Sequence, residues 1–458
     1  MINWQSTSRV LVLGYGISSK SVIELLIKKG IRVRLNNQSD LSKDESVIRL
    51  KQKGVEVIDG GHPLSVLDGI DWIVKSPIIP YELPLIQEAQ QQNIPIYTDV
   101  ELAYQLNQSE LIAVTGSNGK TTTVSLIQKI LDQGLECNSY AAGNIGIPAI
   151  DVVQKAEACD QVVMELSSFQ LLGIDQLRPH IAVFTNIYEA HLDYHKTRQA
   201  YIEAKLNLIK NLTNQDYLVY NADQEDLASY FEDCPARKVP FSRKLVIKEG
   251  AYCLNGYVYY QDKKIMKIEE IPLPGEHNVE NVLAAVAVAS IENVKPEIIR
   301  SVVMNFEGIA HRIQWVGKYH KADFYNDSKA TNPLASLTAL RSFKDRDIVY
   351  FAGGLDRGND FQELEEEFKK VKAAYLFGQS AKKLYTHLKV AGVPTIFLAD
   401  TLEQAFKAFY DYPLEDEVVL FSPACASWDQ YPNYEVRGKA FCELVKGYLE
   451  EKEKNERN

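Results

Sequence analysis

Three times in 458 residues, an apolar run of strand length meets a turn and then a segment with helical spacing. This pattern, more than any other feature, restricts the chain to parallel α/β folds. It begins in "RVLVLGYGISSKSVIELLIKKGIRVRL", where Val10 to Leu13 read as a buried strand, Gly14 and Gly16 as a turn, Ser19 to Lys29 as an amphipathic helix and Ile31 to Leu35 as the next strand. The second start is "LIAVTGSNGKTTTVSLI", with a strand at Leu111 to Thr115 and a helix at Lys120 to Leu131. The runs Val162 to Met164, Ile181 to Phe184 and Tyr217 to Tyr220 are expected to extend the same sheet, and "LPGEHNVENVLAAVAVAS" predicts a helix over Val279 to Ile291. The third start follows "NFEGIAHRIQWVG": Ile348 to Phe351, Ala374 to Phe377, Thr395 to Leu398 and Val418 to Phe421 are strand-like and separated by helical stretches. Roughly 150 residues per domain then suggests three domains. The boundaries are expected near residues 98 and 308, giving 1–98, 99–308 and 309–458.

The charge of −11 argues against nonspecific nucleic-acid binding, which needs a basic surface to displace counterions. Any anionic ligand has to be gripped locally. No apolar run reaches bilayer-spanning length, and the start "MINWQSTSRVLVLGYG" has no secretory pattern, so the expectation is a cytoplasmic protein without a membrane partner. Cys137, Cys159, Cys234, Cys253, Cys425 and Cys442 contain no Cys-x-x-Cys pair, and they read as reduced, mostly buried thiols rather than a zinc cluster or disulfide framework.

In "TGSNGKTT" a strand ends in Gly-rich backbone and a helix begins at Lys120, aiming free N–H groups and the positive helix end at an anion. Lys120 would neutralise phosphate oxygens, and the Thr121 hydroxyl would ligate Mg²⁺. Val114 stands where the full P-loop pattern has its first Gly, so the turn is a shortened variant. Glu165 and His191 follow neighbouring strands, at the sheet end where open α/β folds hold ligands. Glu165 suits Mg²⁺; His191 is a less usual ligand, and Asp193 and His195 compete with it. A zinc hydrolase built on His191, Asp193 and His195 is the weakest alternative.

Eight motifs in order resemble the Mur ligases: "TGSNGKTTT", "AGNIG" at 142–146, "ELSSFQL" at 165–171, "HLDYH" at 191–195, "GEHNVEN" at 275–281, "HR" at 311–312, "NDSKATN" at 326–332 and "SPACASWDQYPNYEVRG" at 422–438. "ELSSFQL" and "SPACAS" favour the branch that adds D-glutamate. The resemblance implies a Rossmann-like N-terminal domain, a central P-loop ATPase domain with a mostly parallel sheet, and a Rossmann-like C-terminal domain. It also implies an ATP-dependent amide ligase with two Mg²⁺ ions, acting as a monomer on UDP-MurNAc-L-alanine and D-glutamate in peptidoglycan precursor synthesis. ATP would convert the acceptor carboxylate to an acyl phosphate, which the amine then attacks.

The same resemblance implies the site. Gly116, Ser117, Asn118, Gly119, Lys120, Thr121 and Thr122 would bind ATP, with Asn278 and Asn281 on the adenine side, Arg312 at the phosphates and Asp327 at the ribose. Thr121, Glu165 and His191 would ligate the metals, together with Lys205 if it is carbamylated; from its sequence alone Lys205 is a solvated helix lysine. Catalysis would rest on Lys120, His191, Lys205, Arg312 and Lys329. Tyr15, Gly16, Ile17, Ser18, Asn36, Asn37, Ser76 and Asn144 would hold the UDP substrate. Lys329, Thr331, Arg357, Ser427 and Tyr434 would hold D-glutamate. Asn36, Gln38 and Ile78 depart from the family's usual acid, base and Gly. Ser19, where a dinucleotide fingerprint has Gly or Ala, argues against NAD. Closure about residues 305–310 is expected to complete the site. The open alternatives are a sibling Mur or folylpolyglutamate-type ligase using another amino acid, and a nucleotide-binding switch without ligase chemistry.

Overall fold

A computed structural model describes residues 2, 4–188, 190–343 and 346–457. Each strand–turn–helix start founds one sheet. In the first, β1 (Arg9–Leu13), β2 (Arg32–Asn37), β3 (Glu56–Asp59), β4 (Trp72–Lys75) and β5 (Ile96–Tyr97) lie parallel in the order β3-β2-β1-β4-β5. The second holds β6 (Glu110–Thr115), β7 (Ser139–Gly143), β8 (Gln161–Glu165), β9 (Ile181–Phe184), β10 (Tyr217–Asn221), β11 (Arg237–Ser242), β12 (Ala251–Leu254), β13 (Tyr257–Tyr260) and β14 (Lys263–Lys267). Their order is β14-β13-β12-β11-β10-β9-β6-β8-β7, antiparallel only through β12, β13 and β14. The third holds β15 (Gln314–Tyr319), β16 (Ala322–Asn326), β17 (Ile348–Gly353), β18 (Val371–Phe377), β19 (Thr395–Leu398) and β20 (Val418–Phe421) in the order β15-β16-β20-β17-β18-β19. Only its β15–β16 pair is antiparallel.

The strand orders decide where ligands can sit. The founding strands β1, β6 and β17 each lie inside their sheet, with a later strand on one side and a differently connected one on the other. Helices leaving such a strand and its neighbour diverge to opposite faces, which opens a crevice at the carboxyl ends. In β17, Ile348 and Tyr350 enter one apolar cluster while Val349 and Phe351 enter another, so helices cover both faces of that sheet.

Contacts divide the chain into two compact units, Met1–Glu270 with Val279–Met304, and Ile271–Asn278 with Asn305–Asn458. Within the first unit, one hydrophobic cluster includes Val10 of the first sheet, Leu26 of the helix Ile17–Lys28, and Ala113, Met164 and Phe184 of the second sheet. Polar contacts add to it. The fully buried Glu101, in the helix Asp99–Leu106, accepts N–H groups of Asp175, Gln176 and Leu177 at 2.9, 3.0 and 3.1 Å. Among the described residues no helix is long and apolar enough to cross a membrane.

The cysteines correct one expectation. They are free, but only Cys425 is buried, while Cys159 is exposed and the others are intermediate. Although distant in sequence, Cys137 and Cys159 come within metal-ligand reach of Asp160, because β7 and β8 run parallel with Ser139 opposite Gln161. Sheet register, not sequence spacing, makes that juxtaposition.

Candidate active site

The phosphate turn is shaped by its glycines and its neighbours. Gly116 has φ +149°, and Gly119, with φ +81°, caps the helix Lys120–Gly134 without a side-chain cap. The turn is tied down by Ser117 N to Asn186 O at 2.9 Å, Asn118 N to Asn186 Oδ1 at 2.9 Å, and Thr185 Oγ1 donating to Asn118 O at 2.6 Å. Ser117 Oγ lies 2.8 Å from the Tyr201 hydroxyl. Thr121 is buried and Thr122 half-buried in the helix's first turn. Asn281 packs on the turn from above: a Cβ at Gly119 would collide with its amide, and Thr123 Oγ1 donates to its Oδ1 at 3.3 Å. Asn278 reaches back to donate to Pro274 O at 2.7 Å.

Two lysines meet on one carbonyl. Lys120 Nζ lies 2.8 Å and Lys205 Nζ 2.9 Å from Gly116 O, Lys120 also donating to Ser117 O at 2.9 Å. Lys205 is 1% exposed, stands over the Tyr201 ring and comes from the helix Arg198–Leu206. Burial and the neighbouring Lys120 hold its amine well below the usual lysine range, with Glu165 pulling the other way. Sequence pattern suggests a solvated lysine there; the structure corrects this, because the helix turns that face under the phosphate turn.

Glu165 ends β8 directly beside β6, with Val114 opposite it. It is buried; Oε1 accepts from Asn144 Nδ2 at 3.0 Å, and Oε2 is buried without a partner. An orphaned carboxylate oxygen in such a place is costly unless a cation or donor meets it. His191 precedes the short helix Leu192–His195 with φ +57°, its ring 5.0 Å from that of Phe169. His195 Nε2 lies 2.9 Å from Ser168 Oγ, and its ring stacks on Phe169. The side chain of Asp193 is outside those described, and the metal-ligand clusters among the described residues do not include His191 or His195.

A pocket of about 410 Å³ opens beside Asn144 and is lined by Gly16, Ile17, Ser18, Ser76, Ile78 and Phe169 among others. The helix Ile17–Lys28 begins there with Gly16 at its N-cap and no side-chain cap, leaving first-turn N–H groups for an anion. Tyr15, Asn36 and Asn37 are not in its lining. Asn36 is fully buried: its amide donates to Ile58 O and Gly61 O at 2.8 Å each, and Oδ1 meets His62. Asn37 Oδ1 accepts Tyr15 N at 3.1 Å, and the Tyr15 hydroxyl lies 2.8 Å from Ser46 Oγ. These three shape the turn behind the pocket.

Two charged residues that sequence reading passed over build the pocket wall. Lys75 is buried and donates to the carbonyls of Ser76, Pro77 and Ile79, with burial pushing its amine down to about 7. Asp99 is buried at the pocket, its carboxyl raised by burial and its Oδ1 without a hydrogen-bond partner. A lysine closing the apolar strand "WIVK" was the available signal for the first. Within "ELSSFQL", Ser167 and Gln170 form a capping box that orients the loop after Glu165.

In the second unit, Asp327 is buried, with Oδ1 accepting Ile313 N at 3.2 Å and Oδ2 accepting Ser422 Oγ at 2.8 Å, and burial raises its carboxyl to about 7. Arg312 has its Nε buried without a partner. Lys329 stands over the Tyr434 ring at 5.3 Å, and Thr331 is half-buried two residues on. Arg357 is exposed and stacks 4.4 Å from the Trp428 ring, while Ser427 is buried. One residue unassigned from sequence organises them. The guanidinium of Arg437, fully buried, donates to Ser328 O at 2.8 Å, Ser328 Oγ at 3.1 Å and Cys425 O at 3.0 Å, linking the segments that carry Lys329 and Ser427.

Three family models match in succession: the Mur ligase MurD-like N-terminal domain over residues 8–98, the Mur ligase middle domain over 114–289, and the Mur ligase glutamate ligase domain over 311–425. The chain belongs to the Mur ligase family. This Mur ligase is 45% identical over 445 residues to the UDP-N-acetylmuramoylalanine--D-glutamate ligase of Enterococcus hirae, covering 97% of each chain. It is 46% identical over 455 residues to the protein of the same name from Ligilactobacillus salivarius, covering 99% of each. Among solved structures, MurF of Acinetobacter baumannii matches with a TM-score of 0.60 at 16% identity, over 96% of this chain and 93% of that one. MurF of Thermotoga maritima, solved with ADP, matches with 0.59 at 15%, over 99% and 98%. At such identities the structural matches speak for the fold alone.

Proposed function

We propose that the chain is an ATP-dependent ligase that joins the amine of D-glutamate to the terminal carboxylate of UDP-MurNAc-L-alanine in peptidoglycan precursor synthesis, working in the cytoplasm. The observation that carries this reading is the placement of Glu165. Its unpartnered oxygen stands beside the phosphate turn, and Asn144, bonded to its other oxygen, lines the pocket. An acid held in that pocket and a phosphate held on that turn would meet at one group.

A carboxylate is a poor electrophile, so it is activated as an acyl phosphate, with ATP as phosphoryl donor and ADP leaving; the amine then displaces phosphate to form the amide. Bringing two anions together demands local positive charge. Lys120 supplies it, exchanging the carbonyls of Gly116 and Ser117 for phosphate oxygens. The open N–H groups at Gly16 to Ser18 suit the diphosphate of the UDP substrate. In the second unit, Arg312 and Asp327 are assigned to nucleotide, and Lys329, Thr331, Arg357, Ser427 and Tyr434 to D-glutamate, with the guanidinium of Arg357 suited to a carboxylate.

The donor set fits Mg²⁺: Glu165 offers a buried, unpartnered oxygen, Thr121 a hydroxyl in the first helical turn and His191 an imidazole. Two bound Mg²⁺ ions would neutralise phosphate and carboxylate oxygens. Lys205, its amine depressed by burial and so available unprotonated, is assigned a carbamate: the neutral nitrogen bonds the carbon of CO₂ and releases one proton, turning a neutral amine into an anion. Partial rescue of Lys205→Ala by short carboxylic acids supports that assignment, and full activity of the unrescued variant overturns it.

The deciding experiment is phosphate release with ATP and UDP-MurNAc-L-alanine, offered D-glutamate, L-glutamate, L-alanine or L-lysine. Release dependent on both the muramoyl substrate and D-glutamate is expected. Release with another amino acid in preference, or without an acceptor, overturns the reading.

A further inference from the structure

We propose that Glu110, His180 and Glu292 form a divalent-cation site of the Zn²⁺ class at the amino-terminal ends of β6 and β9, the end of the central sheet opposite the phosphate turn. The three residues come from separate parts of the chain: Glu110 opens β6, His180 immediately precedes β9, and Glu292 follows the helix Glu276–Ile291. One ligand atom from each lies within 4.8 Å of the others. Ligands about 2.0–2.2 Å from a tetrahedral zinc lie roughly 3.5 Å apart, so side-chain adjustments of little more than about 1 Å would close the set.

Charge gives the second, independent reason. Glu292 sits at the carbonyl end of a 16-residue helix, where a carboxylate meets the negative pole of the helix dipole. A second carboxylate, Glu110, faces it, and Glu292 Oε1 is buried without a hydrogen-bond partner. Two acids and a helix carboxyl terminus around one imidazole call for a cation. The imidazole selects its kind, since nitrogen with carboxylate oxygens suits Zn²⁺ or a neighbouring first-row ion better than Mg²⁺ or Ca²⁺.

The surroundings hold two of these donors in place. Glu110 accepts from Gln161 Nε2 at 2.9 Å, and its N–H donates to Asp160 O at 3.3 Å. The ring of His180 packs edge-on against Tyr217, whose N–H donates to His180 O at 2.9 Å. A polar pocket lined by Glu110, His180, Tyr104 and Asn107, and by Arg178 paired with Asp216, gives an ion access from solvent. Five residue steps of β6, roughly 17 Å, separate Glu110 from the strand end at Thr115, so the site is distinct from the groups assigned to catalysis.

The test is equilibrium dialysis of the full chain against Zn²⁺ in excess Mg²⁺, in a Cys137→Ser/Cys159→Ser background that removes the other soft-ligand cluster. The background is expected to bind one Zn²⁺ per chain more than Glu292→Gln or His180→Ala, or to bind it at least tenfold more tightly. Zn²⁺ should raise its unfolding temperature but not that of these variants, which keep phosphate-release activity. The exposed Glu110→Gln, a variant with little risk to folding, should show the same loss of binding. Equal Zn²⁺ binding by the background and all three variants overturns the site, as does no binding to the background.

Discussion

Replacing Gly116 with Ala tests whether the phosphate turn is as tightly specified as its contacts indicate. A Cβ at this position would lie far inside the contact distance of Thr185 Oγ1, 3.1 Å from Asn186 O and 3.2 Å from Asn186 N, on a backbone with φ +149°. That conformation costs an L-residue about 1–3 kcal/mol. Displacing Thr185 breaks the single O–H bond it donates to Asn118 O, with Thr115 O as the more distant acceptor, worth about 1 kcal/mol. If the turn keeps its shape, the loss is roughly 2–4 kcal/mol. Gly54→Ala is the control: φ is +90° there, but nothing lies within 4 Å of the added Cβ, so only strain of about 1–2 kcal/mol applies. Urea denaturation of both variants reads the difference, and KM for ATP reads the turn's competence. If the turn relaxes instead of straining, Gly116→Ala keeps a stability near the control and KM for ATP rises at least tenfold. A variant matching the control in stability and the parent in kinetics would refute the argument.

Two further outcomes follow from buried carboxyl groups. Glu101→Gln replaces a carboxylate that accepts three N–H groups with an amide whose NH₂ faces donors; a loss of about 2–4 kcal/mol is expected in urea denaturation, and less than about 0.5 kcal/mol would show that the segment 175–177 does not depend on it. Asp327 titrates near 7 when folded and at its ordinary value of 3.8 when unfolded, so the native state binds the extra proton between those values. Stability therefore falls as pH rises from about 4 to about 7, by on the order of 4 kcal/mol, and Asp327→Asn should flatten that fall; an unchanged pH slope would count against it.

Much of the fold was legible because a buried parallel strand and its following helix carry their signal within about 25 residues. Ile181–Phe184 and Val418–Phe421, both wholly buried, coincide with their apolar runs. The strands Ser139–Gly143, Ala251–Leu254 and Gln314–Tyr319 were not legible, since they are edge or hairpin strands with mixed polarity whose identity depends on a partner. Of the site, the phosphate turn could be read because its glycines and Lys120 are contiguous. Lys75, Asp99 and Arg437 could not, since a buried charge looks the same in sequence as an exposed one until the groups around it are known.

The linear chain by itself determined three α/β units, the turn that would hold phosphate and the order of motifs that marks the family, all of them consequences of short-range periodicity and turn chemistry. Tertiary structure alone decided that Lys205 joins Lys120 on the Gly116 carbonyl, that Asn281 packs on Gly119, and that Glu110, His180 and Glu292 converge. The physical reason is strand order. Placing β6 between β9 and β8 brings together residues dozens of positions apart, and no local pattern encodes which strand will become a neighbour.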